Sequence, residues 1–301
     1  QYINLVKRII SEGTVESTRN GETISLFGEQ MKFSLKDNVI PFITTKKLAW
    51  KTCLKELLWF ISGSTDNNVL LNQNVKIWND NAKDYEEQFF KRYNRILSHE
   101  GDLGPIYGHQ WRHYNAPYIN STINYKDKGI DQLQNIINIL KDPIQRTSRR
   151  IILNSWNPEQ IDEMALPPCH ILCQFHVSNN NRLHCCMYQR SGDIGLGVPF
   201  NIASYSLLTH IIAKICGLEA YEFIHFIGNA HIYTEHKDAL LQQINNKPYP
   251  FPTIEIQENI TIDNIDIDDY IQDNAPEDTS YTQNSTTEIY ELSSPKSEEI
   301  Y

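Results

Sequence analysis

Leu183-His184-Cys185-Cys186-Met187-Tyr188, continuing as Gln189-Arg190-Ser191-Gly192-Asp193, then Gly195-Leu196-Gly197-Val198-Pro199-Phe200-Asn201 and an apolar run to Cys216-Gly217, is the stretch from which the architecture can be read. Residues 183–188 have the character of a buried strand. Residues 202–216 have that of a buried helix, closed by a glycine suited to the turn beyond a helix end. Between them, glycines let the backbone approach a ligand closely. Arg190 beside Ser191 offers a guanidinium fork and a hydroxyl to an oxyanion or phosphate. A structural loop carrying a surface arginine would look similar, and a bare Gly-x-Gly has little specificity.

Working outward, residues 151–156 and 171–177 also read as buried strands, and residues 2–10 as a short helix. Residues 48–61 read as a strongly amphipathic helix, with Leu48, Cys53, Leu54, Leu57, Leu58 and Ile61 at helical spacing. A further helix over 133–140 is stopped by Asp142-Pro143. Thr18-Arg19-Asn20-Gly21 is a turn, and residues 23–33 alternate as a strand pair around Gly28. Residues 81–101 are polar and interrupted, which predicts a surface insertion. Residues 1–256 form one expected catalytic domain and 257–273 a divergent C-terminal segment. The Ser/Thr/Glu/Asn-rich tail over 274–301 has few core-forming side chains and is expected to be disordered.

The 301 residues, 40% of them hydrophobic, suffice for one large core. The net charge of −10 is uneven, because twelve Asp/Glu and one Lys fall in residues 257–301 and leave the body close to neutral. An acidic sum alone argues against nucleic acid; the split shows a body with its own arginines for a local anion. No apolar run approaches the roughly 18 residues of a membrane span, no signal-peptide pattern opens the chain, and no membrane role is expected. Six cysteines, at 53, 169, 173, 185, 186 and 216, lack both disulfide-framework and zinc-site spacing. Reduced thiols, no metal and a reducing, cytoplasmic compartment are expected. The start at Gln1 rather than Met fits a piece cut from a longer protein.

Chemistry concentrates at Pro167-Pro168-Cys169-His170, between two strand-like runs. A thiolate stabilised by a nearby cation is a nucleophile, although a lone Cys is more often a buried structural residue. Ser148-Arg149-Arg150 opens another strand, and adjacent strand residues point to opposite faces. Such a pair serves an interface or an anion, or simply solvation.

Together these motifs resemble the thymidylate synthase family over about residues 2–256. The resemblance rests on Phe42-Ile43-Thr44-Thr45-Lys46-Lys47, Glu56-Leu57-Leu58-Trp59-Phe60, Gly101-Asp102-Leu103-Gly104-Pro105-Ile106-Tyr107-Gly108, Ala165-Leu166-Pro167-Pro168-Cys169-His170, Tyr188-Gln189-Arg190-Ser191 and Phe200-Asn201-Ile202-Ala203-Ser204-Tyr205. The insertion before Gly101 resembles eukaryote-type members, and the start at Gln1 the synthase half of a fused dihydrofolate reductase–thymidylate synthase. The resemblance implies an α/β fold, a mixed β-sheet sandwich flanked by helices, in an obligate homodimer. It implies conversion of dUMP to dTMP, with methylenetetrahydrofolate giving carbon and hydride.

By the same resemblance, Cys169 is the nucleophile and Arg190 keeps its thiol ionised. Glu56 handles protons through water, Asn201 reads the pyrimidine edge, and Tyr107 and His170 complete the proton network. Phosphate falls to Arg19, Arg190 and Ser191, with Arg149 and Arg150 from the partner subunit. His231 and Tyr233 meet the ribose, and Gln189 and Asp193 complete the nucleotide site. Ile77, Trp78, Leu196, Gly197 and Phe200 face the folate, Asp193 also bonds its pterin, and Lys46 meets its glutamate chain.

The sequence departs from the family in places. The Arg19 loop is one residue short, Asn229 stands where Asp is usual, and Asn81 replaces a Trp of many bacterial members. The family's late Tyr, Pro-His-Pro and small apolar end are not recognisable, which implies weaker closure over the folate. The rival functions are a deoxypyrimidine-monophosphate hydroxymethylase, disfavoured by Asn201 where dCMP-acting members carry Asp, and a catalytically impaired nucleotide-binding or regulatory homologue.

Overall fold

The computed structural model describes residues 1–18, 20–266 and 270–271. The described residues hold eight strands: β1 (Thr14–Thr18), β2 (Gly21–Ser34), β3 (Ile152–Asn154), β4 (His170–Ser178), β5 (Arg182–Asp193), β6 (Glu219–Tyr233), β7 (Glu255–Ile256) and β8 (Tyr270–Ile271). The α-helices are α1 (Tyr2–Glu12), α2 (Trp50–Ile61), α3 (Asn67–Leu71), α4 (Asn79–Tyr93), α5 (Tyr107–His113), α6 (Gln132–Lys141), α7 (Gly197–Cys216) and α8 (Lys237–Gln243).

Six strands make one mixed sheet in the order β1-β2-β6-β5-β4-β3. All neighbours are antiparallel except β5 and β6. That parallel pair needs a long crossover, and α7 is the crossover. The helix is apolar on nearly every side, from Val198 to Cys216, which suits an element enclosed all round. It packs on β5 and β6 from one side and meets α2 and α6 on the other. Leu208, Ile211 and Ile212 are fully buried there, and each such side chain contributes roughly 1.5–3 kcal/mol. The mixed sheet with its helical cover is the α/β architecture expected.

One face of the sheet lies under α7. The strand registers place Ile152, Leu172, Cys186, Tyr188, Ile224 and Phe226 together on the other face. Ile152, Tyr188 and Phe226 are 43%, 39% and 38% exposed, so this second face is apolar yet uncovered in a single chain.

Four expectations are corrected. Gly28 divides no strand pair: β2 runs through it with one register against β6 on both sides, and the hairpin turn lies at Thr18–Gly21 instead. Gly28 takes φ +85, open to glycine without steric cost. Residues 81–101 are not wholly an irregular insertion, because α4 covers Asn79–Tyr93 and buries Asn81 and Tyr85. The helix expected from residue 202 already begins at Gly197, since Pro199 sits in its first turn, where a missing N–H costs nothing. The strand expected over 183–188 extends through Asp193. Ile260 and Ile262 join the core, inside the segment expected to diverge. The tail over 274–301 and Arg19 lie outside the described residues.

Candidate active site

Cys169 closes the segment entering β4 and is 1% exposed. Its placement rests on Tyr107, the first residue of α5. The phenol oxygen accepts hydrogen bonds from the backbone N–H groups of Cys169 at 2.8 Å and His170 at 3.3 Å. Arg190, on neighbouring β5, holds the same segment from the other side. Its backbone N–H donates to the Cys169 carbonyl at 2.9 Å. Its guanidinium donates to the carbonyls of Pro168 at 3.0 Å and Pro167 at 2.9 Å. A cation is thereby anchored to the two residues preceding the thiol. None of the six cysteines forms a disulfide.

His170 is buried, and neither ring nitrogen meets a partner in full hydrogen-bond geometry, although the Asn201 side chain lies close by. Burial draws its pKa down to about 3, tempered by the approach of the Asn201 side chain. The ring is neutral, with two polar atoms unmet, as expected of a group waiting for a ligand or water. Tyr107 is pushed far above the usual tyrosine range, first by burial and then by the charge of Cys169. It keeps its proton.

Glu56 extends from the buried face of α2 and is 3% exposed. The Trp78 indole donates to it at 2.7 Å. Trp78 itself is fully enclosed, against Trp59, Phe60 and Tyr107. Ile77 and Phe200 are partly buried against the core, and Leu196 is half-buried. Gly197 is buried at the start of α7.

Asn201, in α7, is 2% exposed, and its Oδ1 accepts from Gln189 Nε2 at 2.9 Å. The β5–α7 connection is braced from three directions. Tyr2 of α1 donates to the Ile194 carbonyl at 2.8 Å, Lys46 to the Gly195 carbonyl at 2.5 Å, and the Gly195 N–H to Asp193 at 2.8 Å. Burial pushes the Asp193 carboxyl up, against the pull of His231, His236 and Lys46. Burial draws Lys46 down to about 8, partly offset by Asp193. His231 and Tyr233 end β6 side by side, ring centroids 5.4 Å apart. The His231 ring bonds the Asn229 oxygen at 3.0 Å.

The fold therefore gathers Cys169, Tyr107, His170, Arg190, Gln189 and Asn201 at one end of β4, β5 and α7. Ser191 and Asp193 continue along β5, opposite Asn229 and His231. Arg149 and Arg150 are exposed before β3, and no ion pair among the described residues engages either. Sequence reasoning missed His225. It is wholly buried on β6 and bonded to Gln189; its only signal is a histidine inside an apolar strand. It missed Tyr2 too, whose aid to a loop 192 residues away leaves no local trace. Among the described residues no group of His, Cys, Asp or Glu could hold a metal, and no helix is long and apolar enough to cross a membrane.

A family model described as thymidylate synthase matches residues 1–280. That match runs past residue 256, into the segment whose ending looked unlike the family. A bifunctional dihydrofolate reductase–thymidylate synthase from Plasmodium berghei is 51% identical over 91% of this chain and 46% of its own length. Thymidylate synthases of Equine herpesvirus 2 and Saccharomyces cerevisiae are each 47% identical over 90% of this chain, covering 90% and 89% of their own lengths. The chain thus spans about half the length of the bifunctional relatives it matches and most of the monofunctional ones.

Proposed function

The chain belongs to the thymidylate synthase family, and from that premise we propose that it reductively methylates dUMP to dTMP with Cys169 as the nucleophile. The observation carrying this reading is the double clamp on the Cys169 segment, by Tyr107 on one side and on the other by Arg190, whose backbone N–H bonds Cys169 and whose guanidinium bonds Pro167 and Pro168. Carbon 5 of uracil is a weak nucleophile. Thiolate addition at carbon 6 turns it into an enolate that attacks an electrophilic carbon. Arg190 favours the ionised thiol and offers positive charge to the nucleotide phosphate. Tyr107, still protonated, and neutral His170 then hold and pass the proton that leaves carbon 5. Glu56, oriented by Trp78, serves the pyrimidine carbonyl oxygen through water.

Methylenetetrahydrofolate supplies the carbon and the hydride when bound. Ile77, Leu196 and Phe200 offer it an apolar wall, Trp78 backs that wall, and Asp193 accepts from its pterin; Lys46, bonded inward to the Gly195 carbonyl, meets its glutamate only by exchanging that bond. The unmet nitrogens of His170 fit such an assembly. His231 and Tyr233 meet the ribose, and Ser191, with Arg19, the phosphate.

Dimerisation belongs to the same reading. Uncovered Ile152, Tyr188 and Phe226 suit a second copy of the sheet. Exposed Arg149 and Arg150 at its edge then serve the neighbour's phosphate. A fused reductase region, printed in the names of the bifunctional relatives, is also part of the proposal; the full-length protein from the native source tests it. No observation favours the hydroxymethylase or the silent homologue.

Tritium release from carbon-5-labelled dUMP, with methylenetetrahydrofolate present, tests the activity. Release should be rapid with the parent and should fall by roughly 10⁴-fold or more in Cys169→Ser, while dUMP still binds. Equal release by both proteins overturns the assignment.

A further inference from the structure

Asn201 recognises a pyrimidine only if its amide is held the right way round, and the surroundings of Gln189 decide which way that is. The Gln189 side-chain nitrogen lies 2.8 Å from the carbonyl oxygen of Ser191. A backbone carbonyl only accepts, so the Gln189 atom facing it must be the NH2 group. The other hydrogen of that group points to Asn201 at 2.9 Å, so the Asn201 atom facing it is Oδ1. Gln189 Oε1 then faces the opposite way, 2.8 Å from His225 Nε2. That contact is a hydrogen bond only if His225 carries its proton on Nε2.

His225 is wholly buried, and its Nδ1 has no partner among the described residues. Burial, with a smaller contribution from His170, draws its pKa down to about 3. The neutral ring has one N–H to give, and Gln189 receives it. Packing alone would be served by an apolar residue at this point, since a buried ring with one unmet nitrogen is a net cost.

We propose that His225 is a positioning residue for pyrimidine choice: through Gln189 it holds the Asn201 amide with Oδ1 inward and Nδ2 toward the base. This rests on the dUMP reading above. Uracil presents a carbonyl oxygen at position 4, which Asn201 Nδ2 satisfies. Cytosine presents an amino group there, so two donors would meet in a buried site. Without the His225 donor, Gln189 Oε1 is left unmet on its inner side, the Ser191 carbonyl alone holds the Gln189 amide, and the Asn201 amide is less firmly kept from reversing.

Calorimetric titration of dUMP and dCMP against the parent, His225→Met and His225→Gln tests this. His225→Met keeps bulk and removes the donor. Its preference for dUMP over dCMP should drop about tenfold, the equivalent of about 1.4 kcal/mol. His225→Gln returns an N–H at the ε position and should stay near the parental ratio. A purely structural role would lower stability in His225→Met without changing the ratio, and that result overturns the proposal. If His225→Met does not fold, nitrogen-15 NMR of the parent decides. Nε2–H is the expected tautomer, and Nδ1–H overturns the proposal. A parent that binds neither nucleotide removes the dUMP reading and this inference together; a parent that prefers dUMP while His225→Met does too, undiminished, removes this inference alone.

Discussion

Tyr107 shows how much of the site depends on single atoms. Its ring packs between Phe60 and His170, with centroids at 4.8 Å and 5.3 Å, and its oxygen accepts from two backbone N–H groups. Tyr107→Phe preserves the packing and deletes the acceptor. Two buried donors are left unmet, at about 1–3 kcal/mol each, in the segment that presents the nucleophile. Turnover should fall roughly 10²- to 10³-fold, the usual effect of losing a preorganised hydrogen-bonding group, and the urea midpoint should drop as well. Near-parental turnover in steady-state kinetics would show that the phenol oxygen is not what holds Cys169. Arg190 has a comparable double duty: its fork binds two proline carbonyls at once, a geometry the point charge of lysine does not reproduce.

Among the elements, the segment leading into α5 is the least forgiving. Gly104 has φ +72, and a Cβ there would lie 2.0 Å from the Glu163 carbonyl oxygen. Its N–H donates to Asp102 at 2.9 Å, and Asp102 also accepts from Tyr118 at 2.6 Å. Three residues later comes Tyr107. In Gly104→Ala the left-handed backbone alone costs about 1–3 kcal/mol, and the clash with a backbone atom adds to it. The melting temperature should fall by several degrees, and the Tyr107 contact to Cys169 should loosen with it. Gly28→Ala is the contrast, since its Cβ meets nothing within 4 Å. It should cost only the strain of its positive φ. Equal melting temperatures for these two variants would refute the packing account.

At the scale of the whole molecule, two properties follow from what is covered and what is not. The uncovered sheet face and the exposed arginine pair predict shared active sites. Mixing inactive Cys169→Ser subunits with inactive Arg150→Ala subunits should restore activity, because a mixed dimer has one site with both lesions and one with neither. Absence of recovery despite demonstrated subunit exchange counts against sharing. The second property is sensitivity to acid. His109 and His210 are drawn down to about 4, and His170 and His225 to about 3, in each case mainly by burial. Their folded pKa values are depressed, so the unfolded chain binds more protons below pH 6.5. Stability is fully present above that pH and is lost as pH falls toward 4, at about 1.4 kcal/mol per group per pH unit. Urea midpoints at pH 7, 6 and 5 should decline steeply, and a flat profile would contradict the burial of these rings.

Much of this protein is determined by local pattern. Helical spacing in residues 48–61 and 133–140, and the apolar run ending at Gly217, mark α2, α6 and α7 because each repeats one buried face or is buried all round. Cys169, Arg190 and Asn201 lie in short motifs that single them out only together, through their joint resemblance to one family. Pairing and partnership had to wait for the tertiary structure. β6, the longest described strand, escaped notice in residues 219–233 because its buried positions include His225, Gly228 and His231 among the apolar side chains. Gly28 looked like a turn because φ +85 is a property of the backbone, visible only when β6 is seen to run past it. His225 became legible only through Gln189, 36 residues earlier. A hydrogen bond between distant strands depends on their register, and register is set by the packed sheet rather than by the residues on either side of a histidine.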